Sequence, residues 1–497
     1  MSAIQPELVV SLPACTVQDA RRQTDEARAA GADLAEIRLD RWPPNERARV
    51  AELFPSSLPL VATLRSRAEG GEGPDDPAAR EEILSALSRE PFAFVDLEAA
   101  RDRHLEAPVG ARGRRIVRSS HLPDGASDRE VDVRLREGTP PKGVLKVVLP
   151  ASFSRAVREL LPRIEGADVP RPVLLTTGPS GSLWRAWAGR LGVPWVYSSL
   201  PEEFSAGSVE PSQIPVDRLA TFLAEPDAPI FAVLGHPVAH SRSPAIHHGW
   251  MRRVGHAGLY VALDIASSDE FRLAIEVLPT RGIRGLNVTH PWKRLAYDCA
   301  GWRSADALAT GVANTLTFRE GRVEADNTDL GAVRRRLEDL KETGRWDGTD
   351  LTILGGGGAA RATLAAAQQL GSKATVLTRR PSESEVLASE FEALAGDPLH
   401  PEPAQLVVHA TDVGRTASGP LELPLRPLLS SRSYLLDWVY APALPTLSEV
   451  AREAGASYED GSRLLVYQAA ASYQRWWGEP PDAGSVEETL REVGCAA

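Results

Sequence analysis

The sequence predicts an α/β protein, with an N-terminal (β/α)8 TIM barrel followed by a second α/β half that ends in a Rossmann dinucleotide fold. Three observations carry this. Residues 1–224 hold eight short apolar runs separated by stretches rich in Ala, Arg, Glu and Leu. Residues 351–380 read as strand, glycine cluster, alanine-rich helix and second strand. Between the two halves lies AEPDAP at 224–229, a short acidic segment with prolines that suits a domain boundary and is too short for a long tether.

The eight runs lie at 7–12, 33–39, 59–65, 92–98, 114–119, 144–149, 172–177 and 194–199. Near-continuous apolar strands alternating with helices build a parallel sheet covered on both faces. Eight of them in this length suit a closed barrel, with an open doubly wound sheet as the alternative. A barrel gathers its chemistry at the C-terminal ends of its strands. There Glu36 and Arg38 close the second run, Arg65 the third, and Glu69 follows in the loop. His121 comes after the fifth run, Lys146 lies on the sixth and Arg185 follows the seventh. Singly, most have plain readings: Arg38 with Asp40 as a rim ion pair, His121 as a loop residue, Arg185 as a solvated helix residue. Lys146 is harder to set aside, because its strand is apolar on both sides. A buried lysine is costly unless paired or neutral, which asks for a chemical reason such as imine formation.

The chain has 497 residues, beyond a single ordinary core, so two to four domains are expected. A formal charge of −11 argues against a dedicated nucleic-acid binder. Cys15, Cys299 and Cys495 are scattered and odd in number, giving neither a disulfide framework nor a CxxC metal pair. The N-terminus has no signal-like or transit-like character, and no apolar run reaches membrane-spanning length. The expectation is a cytoplasmic enzyme without nucleic-acid or membrane partners.

In the second half, Gly355, Gly357 and Gly358 would permit a tight turn and close approach of a pyrophosphate to a helix N-terminus. The following strand ends in Thr378, Arg379 and Arg380 with no carboxylate before Glu383, which favours NADP over NAD. Upstream lie GHPVAHSRSP (235–244), GLNVTHPWK (285–293), GVANT (311–315) and DNTDLG (326–331). Ser241, Ser243, Asn287, Thr289 and Asn314 supply uncharged donors and acceptors suited to a polyhydroxylated ring. Lys293 with Asp329 offers a cation–carboxylate pair able to hold and relay one proton. Taken alone, each small polar residue reads as a turn former or helix cap. His236, His240, His247 and His248 invite a metal reading, but no carboxylate cluster accompanies them and no metal is expected.

Residues 6–222 resemble the type I 3-dehydroquinate dehydratases through AEIRLD (35–40), TLRSRAEGG (63–71), SSH (119–121), LKVVLP (145–150), GSLWR (181–185) and PSQI (211–214). The resemblance implies that Lys146 is the Schiff-base lysine, His121 the proton-transfer residue and Glu69 its supporting acid. It implies substrate contacts from Glu36, Arg38, Arg65, Arg185 and Gln213. One departure is Val209, where the family usually has a serine; Ser208 is adjacent.

From 230 to about 485 the chain resembles shikimate dehydrogenases, including ATDVG (410–414), DWVYAP (437–442) and DGSRLLVYQAA (460–470). This implies Lys293 and Asp329 as the catalytic pair. It implies substrate contacts from Ser241, Ser243, Asn287, Thr289, Asn314, Tyr440 and Gln468. Around NADP it sets Ala359, Thr411 and Gly461 beside the glycines, Thr378, Arg379 and Arg380. His290 and Trp292 stand where the family varies; Leu330, His409 and Leu464 replace a usual glycine, asparagine and methionine.

The expected domains are 1–224 for the dehydratase barrel, 229–330 for substrate binding, completed by about 462–497, and 331–461 for NADP. The expected function is dehydration of 3-dehydroquinate followed by NADPH-dependent reduction of 3-dehydroshikimate, by a monomer or homodimer. A quinate/shikimate dehydrogenase and a metabolite-sensing protein with an impaired dehydratase module are the alternatives. Loss of Lys146, His121, Lys293 or Asp329 would favour the sensor, and all four are present.

Overall fold

The computed structural model describes residues 5–168, 170–201, 213–225, 227–239, 241–414, 425–440 and 446–493. The chain forms two compact units, Met1–Ala232 with Pro237–Gly282, and Val233–His236 with Ile283–Ala497.

The first unit contains eight parallel strands: β1 Glu7–Leu12, β2 Leu34–Arg38, β3 Leu60–Thr63, β4 Phe94–Glu98, β5 Arg115–His121, β6 Val144–Pro150, β7 Val173–Thr177 and β8 Trp195–Ser198. They follow in order round the sheet, and β8 closes back on β1 with Val10 opposite Ser198. Among the described residues no ladder joins β7 to β8. Arg185, buried on the helix Gly181–Leu191, spans that seam at its C-terminal end. Its Nη1 donates to the Thr176 carbonyl of β7 at 3.4 Å and its Nε to the Tyr197 carbonyl of β8 at 3.1 Å. The guanidinium thus satisfies carbonyls that a regular ladder would have paired.

Strand phase sets the interior. Val9, Leu34, Val61, Phe94, Val117, Val144, Val173 and Trp195, one from each strand, form a single buried cluster, so these positions face the shared axis. Side chains alternate along a strand, so the residue two positions on faces the axis again, nearer the C-terminal mouth. On every strand but β7 that residue is polar or phenolic: Ser11, Glu36, Thr63, Asp96, Ser119, Lys146 and Tyr197. An apolar plug beneath a polar layer follows from this alternation. The opposite phase supplies the outer core, with Val95, Leu97 and Ile116 packed together with Leu84 of the helix Pro77–Leu87.

Strand β9, Ile230–Gly235, runs from the first unit into the second. The first unit also includes β10, Leu259–Asp264, and the helices Ser243–Val254 and Ser268–Val277. These are tied to the barrel by polar contacts. Ser182 donates to the Ala262 carbonyl at 2.7 Å, Arg218 to the Gly258 carbonyl at 2.8 Å, and Ser154 N to Glu270 at 2.9 Å. The segment after AEPDAP therefore packs on the barrel as part of one body.

In the second unit, β11 (Ile283–Val288) pairs antiparallel with β13 (Thr315–Arg319), and β13 antiparallel with β14 (Arg322–Asp326). The two-residue β12 (Trp302–Arg303) runs parallel to β14. The long helix Ser462–Trp477 returns to this sheet, where the Trp476 indole lies so close over Gly285 that a Cβ there would meet its Nε1 at 2.2 Å. A separate parallel sheet carries β15 Asp350–Leu354, β16 Lys373–Leu377, β17 Leu394–Ala395, β18 Leu406–His409 and β19 Tyr434–Asp437, with β16 on one side of β15 and β18 on the other. The strand order reverses at β15, and ligands of such sheets bind in the crevice at that point. The core between this sheet and its helices includes Leu330 and Leu464, both fully buried.

No helix among the described residues is long and apolar enough to cross a membrane. Nor do the described residues hold a group of three or more His, Cys, Asp and Glu arranged for a metal ion.

Candidate active sites

In the barrel, Lys146 Nζ is buried and donates to the Tyr197 hydroxyl at 2.9 Å and to Glu36 Oε1 at 3.2 Å. It also stands 4.0 Å from the centre of the Tyr197 ring and 3.9 Å from Asp96. Glu36 is held further by Thr63 Oγ1 at 3.0 Å. Burial would push the Glu36 carboxyl up, but Lys146, Arg38 and the Ser11 hydroxyl prevail and hold it at about 2. An opposite charge in contact wins over desolvation here, and Glu36 stays ionised at neutral pH.

Arg65 is brought to the centre by its loop. Gly71 and Gly73 fold back over its backbone so closely that a Cβ on either would meet the Arg65 carbonyl, at 2.3 and 2.6 Å. The guanidinium then donates to Ser119 at 2.9 Å, Asp96 at 2.8 Å, and Glu69 and Glu98 at 3.2 Å each. Its burial would lower the pKa, but Asp96, Glu69 and Glu98 raise it, so it remains a fixed positive charge.

His121 ends β5, with its N–H donating to Glu69 Oε2 at 2.9 Å and its Nδ1 3.2 Å from the same oxygen. Burial, reinforced by Arg65, Lys146 and Arg38, pushes the imidazole well below its usual range, so it is neutral and able to take a proton. Glu69 moves the other way. Burial raises its carboxyl to about 7 and repulsion from Glu98 and Asp96 adds to this, against the pull of Arg65. A carboxyl brought to about 7 in contact with a neutral imidazole is an arrangement suited to moving a proton between them.

Two expected contacts are engaged inside the protein. Arg38 forms a two-point pair with Asp40 at 2.9 and 2.8 Å, and Arg185 is committed to backbone carbonyls as described. Gln213 is partly buried, and its Oε1 has no hydrogen-bond partner among the described residues. Ser208 and Val209 lie outside the described residues. Sequence reasoning missed Asp96, Glu98, Ser119 and Tyr197. The signal that finds them is strand phase, because each stands at an interior position of its strand.

In the second unit, Lys293 begins the helix Lys293–Cys299 and Asp329 lies in the first turn of Thr328–Glu342. Lys293 Nζ donates to Asp329 Oδ2 at 2.6 Å, while Asn314 Nδ2 donates to Asp329 Oδ1 at 2.9 Å and lies 3.5 Å from Gln468 Oε1. Asn314 Oδ1 accepts from Thr328 N at 2.8 Å, which fixes its amide orientation. Asn287 donates to Thr315 Oγ1 at 3.2 Å, and Thr289 packs its methyl against Gly235. Lys293, Asp329, Asn314, Thr328, Thr315, Asn287 and Gln468 form one hydrogen-bonded cluster around the Lys293–Asp329 pair. Ser241 and Ser243 belong to the first unit, where Ser241 Oγ accepts from Ser243 N at 3.3 Å. His240 lies outside the described residues.

The glycine turn fits a dinucleotide. Gly355 has φ +117°, and a Cβ there would meet the Ala410 carbonyl at 2.6 Å, so only glycine is unstrained. Gly357 has nothing within 4 Å of its Cβ direction, leaving space for a phosphate at the N-terminus of the helix Gly358–Leu370. That helix start has no side-chain cap, so its free N–H groups point at an anion site. Ala359 lies in its first turn, and Thr411 follows the Ala410 that crowds Gly355. A Cβ on Gly358 would meet Lys293 Cδ at 2.8 Å, which puts the lysine stem against the turn. Arg379 and Arg380 are exposed after β16, and Thr378 Oγ1 donates to the Arg380 carbonyl at 2.6 Å. Gly461 N donates to the Val439 carbonyl at 3.1 Å, beside Tyr440. Thr411 Oγ1 lies 2.6 Å from His409 Nε2, and His409 Nδ1 2.8 Å from Asp437.

A barrel with a lysine buried in its polar layer has the equipment for imine chemistry, and a dinucleotide fold beside a lysine–aspartate pair has the equipment for hydride transfer coupled to proton transfer. Residues 8–227 match the family model "Type I 3-dehydroquinase", and residues 233–316 match "Shikimate dehydrogenase substrate binding domain". A relative from Cereibacter sphaeroides, a shikimate dehydrogenase (NADP(+)), is 35% identical over 278 residues, covering 54% of this chain and 97% of its own length. The chain therefore belongs to the shikimate dehydrogenase family, and it carries a type I 3-dehydroquinase module ahead of that match. Among solved structures, it is similar to shikimate 5-dehydrogenase from Thermus thermophilus in complex with NADP(H) and shikimate, at 33% identity and TM-score 0.48, covering 53% of this chain and 99% of that one. It is also similar to dehydroquinate dehydratase and shikimate dehydrogenase from S. pombe, at 22% identity and TM-score 0.43, covering 98% of each chain.

Proposed function

We propose that the chain performs two consecutive steps on one ring: 3-dehydroquinate loses water in the barrel, and the 3-dehydroshikimate formed is reduced to shikimate in the second half with NADPH. The observation that carries the first step is the buried Lys146 Nζ, held at 2.9–3.2 Å by Tyr197 and Glu36 in the layer above the apolar plug. There the amine adds to the ring ketone, and the resulting iminium acidifies the adjacent C–H. His121, neutral in this setting, takes that proton and returns one to the departing hydroxyl. Glu36, Gln213, Arg38, Arg65 and Arg185 are proposed to shape the substrate pocket, Arg65 and Arg185 by fixing its walls through the contacts above.

For the second step, Lys293 is proposed to give a proton to the carbonyl oxygen being reduced, with Asp329 holding the ammonium in place. NADPH, when bound, supplies the hydride. Asn287, Thr289, Asn314, Tyr440 and Gln468 are proposed to hold ring hydroxyls, and Ser241 and Ser243 to contact the substrate on the resemblance alone. Gly355, Gly357, Gly358, Ala359, Thr411 and Gly461 are proposed to cradle the dinucleotide. Thr378, Arg379 and Arg380 are proposed to take its 2′-phosphate. The proposed division into 1–224, 229–330 with about 462–497, and 331–461 assigns one task to each segment. A cytoplasmic monomer or homodimer without nucleic-acid or membrane partners completes the reading.

Incubation with 3-dehydroquinate tests it. Enone absorbance is expected without cofactor, and shikimate once NADPH is added. No enone, together with no lysine adduct trapped by borohydride, would sink the dehydratase assignment.

The Glu69–His121 pair sets the pH dependence. Below about 7 Glu69 is neutral; above it the carboxylate accepts the Nδ1–H of His121 and leaves Nε2 as the base. Dehydration is therefore expected to rise as pH increases through about 7, and Glu69→Gln to flatten that limb in a kcat/KM profile. The stability effect has the opposite sign. A carboxyl raised in the folded state contributes stability that is complete below its ordinary 4.5 and is lost as pH rises through about 7.

A further inference from the structure

Forming an imine from a lysine ammonium and a ketone needs no outside proton. The ammonium carries three protons: two leave with the ketone oxygen as water and one stays on the iminium nitrogen. The site must instead move two protons from nitrogen to an oxygen one bond beyond the carbon that nitrogen attacks. The group that does this has to touch Nζ, and it has to give a proton as readily as it takes one.

Among the described residues, two side chains lie within hydrogen-bond distance of Lys146 Nζ, Glu36 at 3.2 Å and the Tyr197 hydroxyl at 2.9 Å. Glu36, held at about 2, accepts but carries no proton to return. Tyr197 is the amphoteric one. Burial, with Glu36 and Asp96 adding to it, keeps its phenol well above its ordinary value, so it holds its proton at any working pH. Its hydroxyl accepts from Nζ and donates to Glu36 Oε1 at 3.3 Å. Its ring is fixed from below, because Tyr197 belongs to the same buried cluster as Trp195 and Val148. Its backbone carbonyl is held by Arg185 across the β7–β8 seam.

We infer that Tyr197 is a further catalytic residue of the barrel, ferrying protons between Lys146 Nζ and the substrate oxygen as the imine forms and as it is hydrolysed. When Nζ bonds to the ketone carbon, one nitrogen proton passes to the phenol oxygen while the phenol proton passes to the substrate oxygen, giving a carbinolamine. A second exchange of the same kind breaks the C–O bond and releases water. Tyr197 ends each exchange as it began. Hydrolysis of the product imine runs the two exchanges in reverse. His121 is thereby left to the C–H proton and the departing ring hydroxyl.

The inference rests on Lys146 being the imine-forming lysine, and the test separates the two claims. The full-length protein is mixed with 3-dehydroquinate, quenched with borohydride at successive times, and the Lys146 adduct measured by mass. Tyr197→Phe keeps the ring and its packing and is expected to slow adduct formation by about 100-fold, within the usual range for a proton-transfer group. Imine formation then becomes rate-limiting, so the deuterium isotope effect for substrate labelled at the abstracted position is expected to shrink towards unity. Replacing Tyr197 by 3,5-difluorotyrosine restores a more acidic hydroxyl and is expected to recover the rate, with a new alkaline limb that the unaltered protein, whose phenol keeps its proton, does not show. Thermal melting of the full-length protein by circular dichroism reports that each variant is folded. Adduct appearing at the unaltered rate in Tyr197→Phe, with an unchanged isotope effect, would overturn the inference. So would a Tyr197→Phe protein that fails to fold alongside a difluorotyrosine protein with the same pH profile as the unaltered one. No adduct in the unaltered protein would instead overturn the Lys146 assignment.

Discussion

Lys146→Ala is expected to lower dehydration of 3-dehydroquinate by a factor on the order of 10⁴ or more, while reduction of supplied 3-dehydroshikimate stays within about twofold of the unaltered protein. The chemical loss is total for the covalent route, because Lys146 is the amine held in the polar layer against Glu36 and Tyr197. A structural consequence accompanies it. Removing one partner of a buried ion pair leaves the other charge uncompensated, at a cost of about 3–5 kcal/mol. Glu36 keeps help from Arg38, Arg65, Thr63 and Ser11, so a value near the lower end is expected. Its carboxyl should also rise from about 2 once the ammonium is gone. Thermal melting followed beside both assays checks this. Loss of both activities in a protein that still melts cooperatively would refute the separation of the two sites.

Lys293→Ala is expected to do the converse. Reduction should fall by about 10²–10⁴-fold, the usual worth of a positioned proton donor, with dehydration unchanged. The stability cost should be smaller than for Lys146. Lys293 retains 19% exposure, and its partner Asp329 keeps the Asn314 amide at 2.9 Å when the lysine is removed. Steady-state assays at saturating NADPH locate the effect: a fall in kcat supports proton donation, whereas a rise only in the KM for the ring substrate would reduce Lys293 to a binding residue. The stem of Lys293 against Gly358 adds a check. Shortening the side chain opens space at the glycine turn, so a modest change in the KM for NADPH is expected as well.

Much of the barrel was legible because strand phase and strand number are local properties. All eight apolar runs became strands, the first with its bounds unchanged and the other seven trimmed or extended by one or two residues at an end. The run at 59–65 shows why the trimming matters. Its strand stops at Thr63, and Leu64 and Arg65 leave the ladder because the glycines at 71 and 73 fold back onto Arg65. The plain reading offered for Arg38 describes a real contact, the ion pair with Asp40, whereas Arg185, read plainly as a solvated helix residue, is buried and spent on backbone carbonyls that the β7–β8 seam leaves open. The departures His409, Leu330 and Leu464 all proved to be buried, the first against Asp437 and the other two in an apolar core.

By itself the sequence determined the architecture, the two lysines and the chemical company each keeps, because alternation, glycine placement and side-chain type are properties of neighbouring residues. The pairing of Lys293 with Asp329 was among these, but only the tertiary structure decided which partners act on Lys146. Glu36 and Lys146 are 110 residues apart and Tyr197 and Lys146 are 51 apart, yet closure of the sheet brings each pair within 3.2 Å. Charge interactions fall off with distance and depend on burial, so the ionised Glu36, the neutral His121 and the proton-bearing Tyr197 exist only once that closure has removed water and set those distances. The amine was readable from the chain, whereas the group that serves it became visible only in the fold.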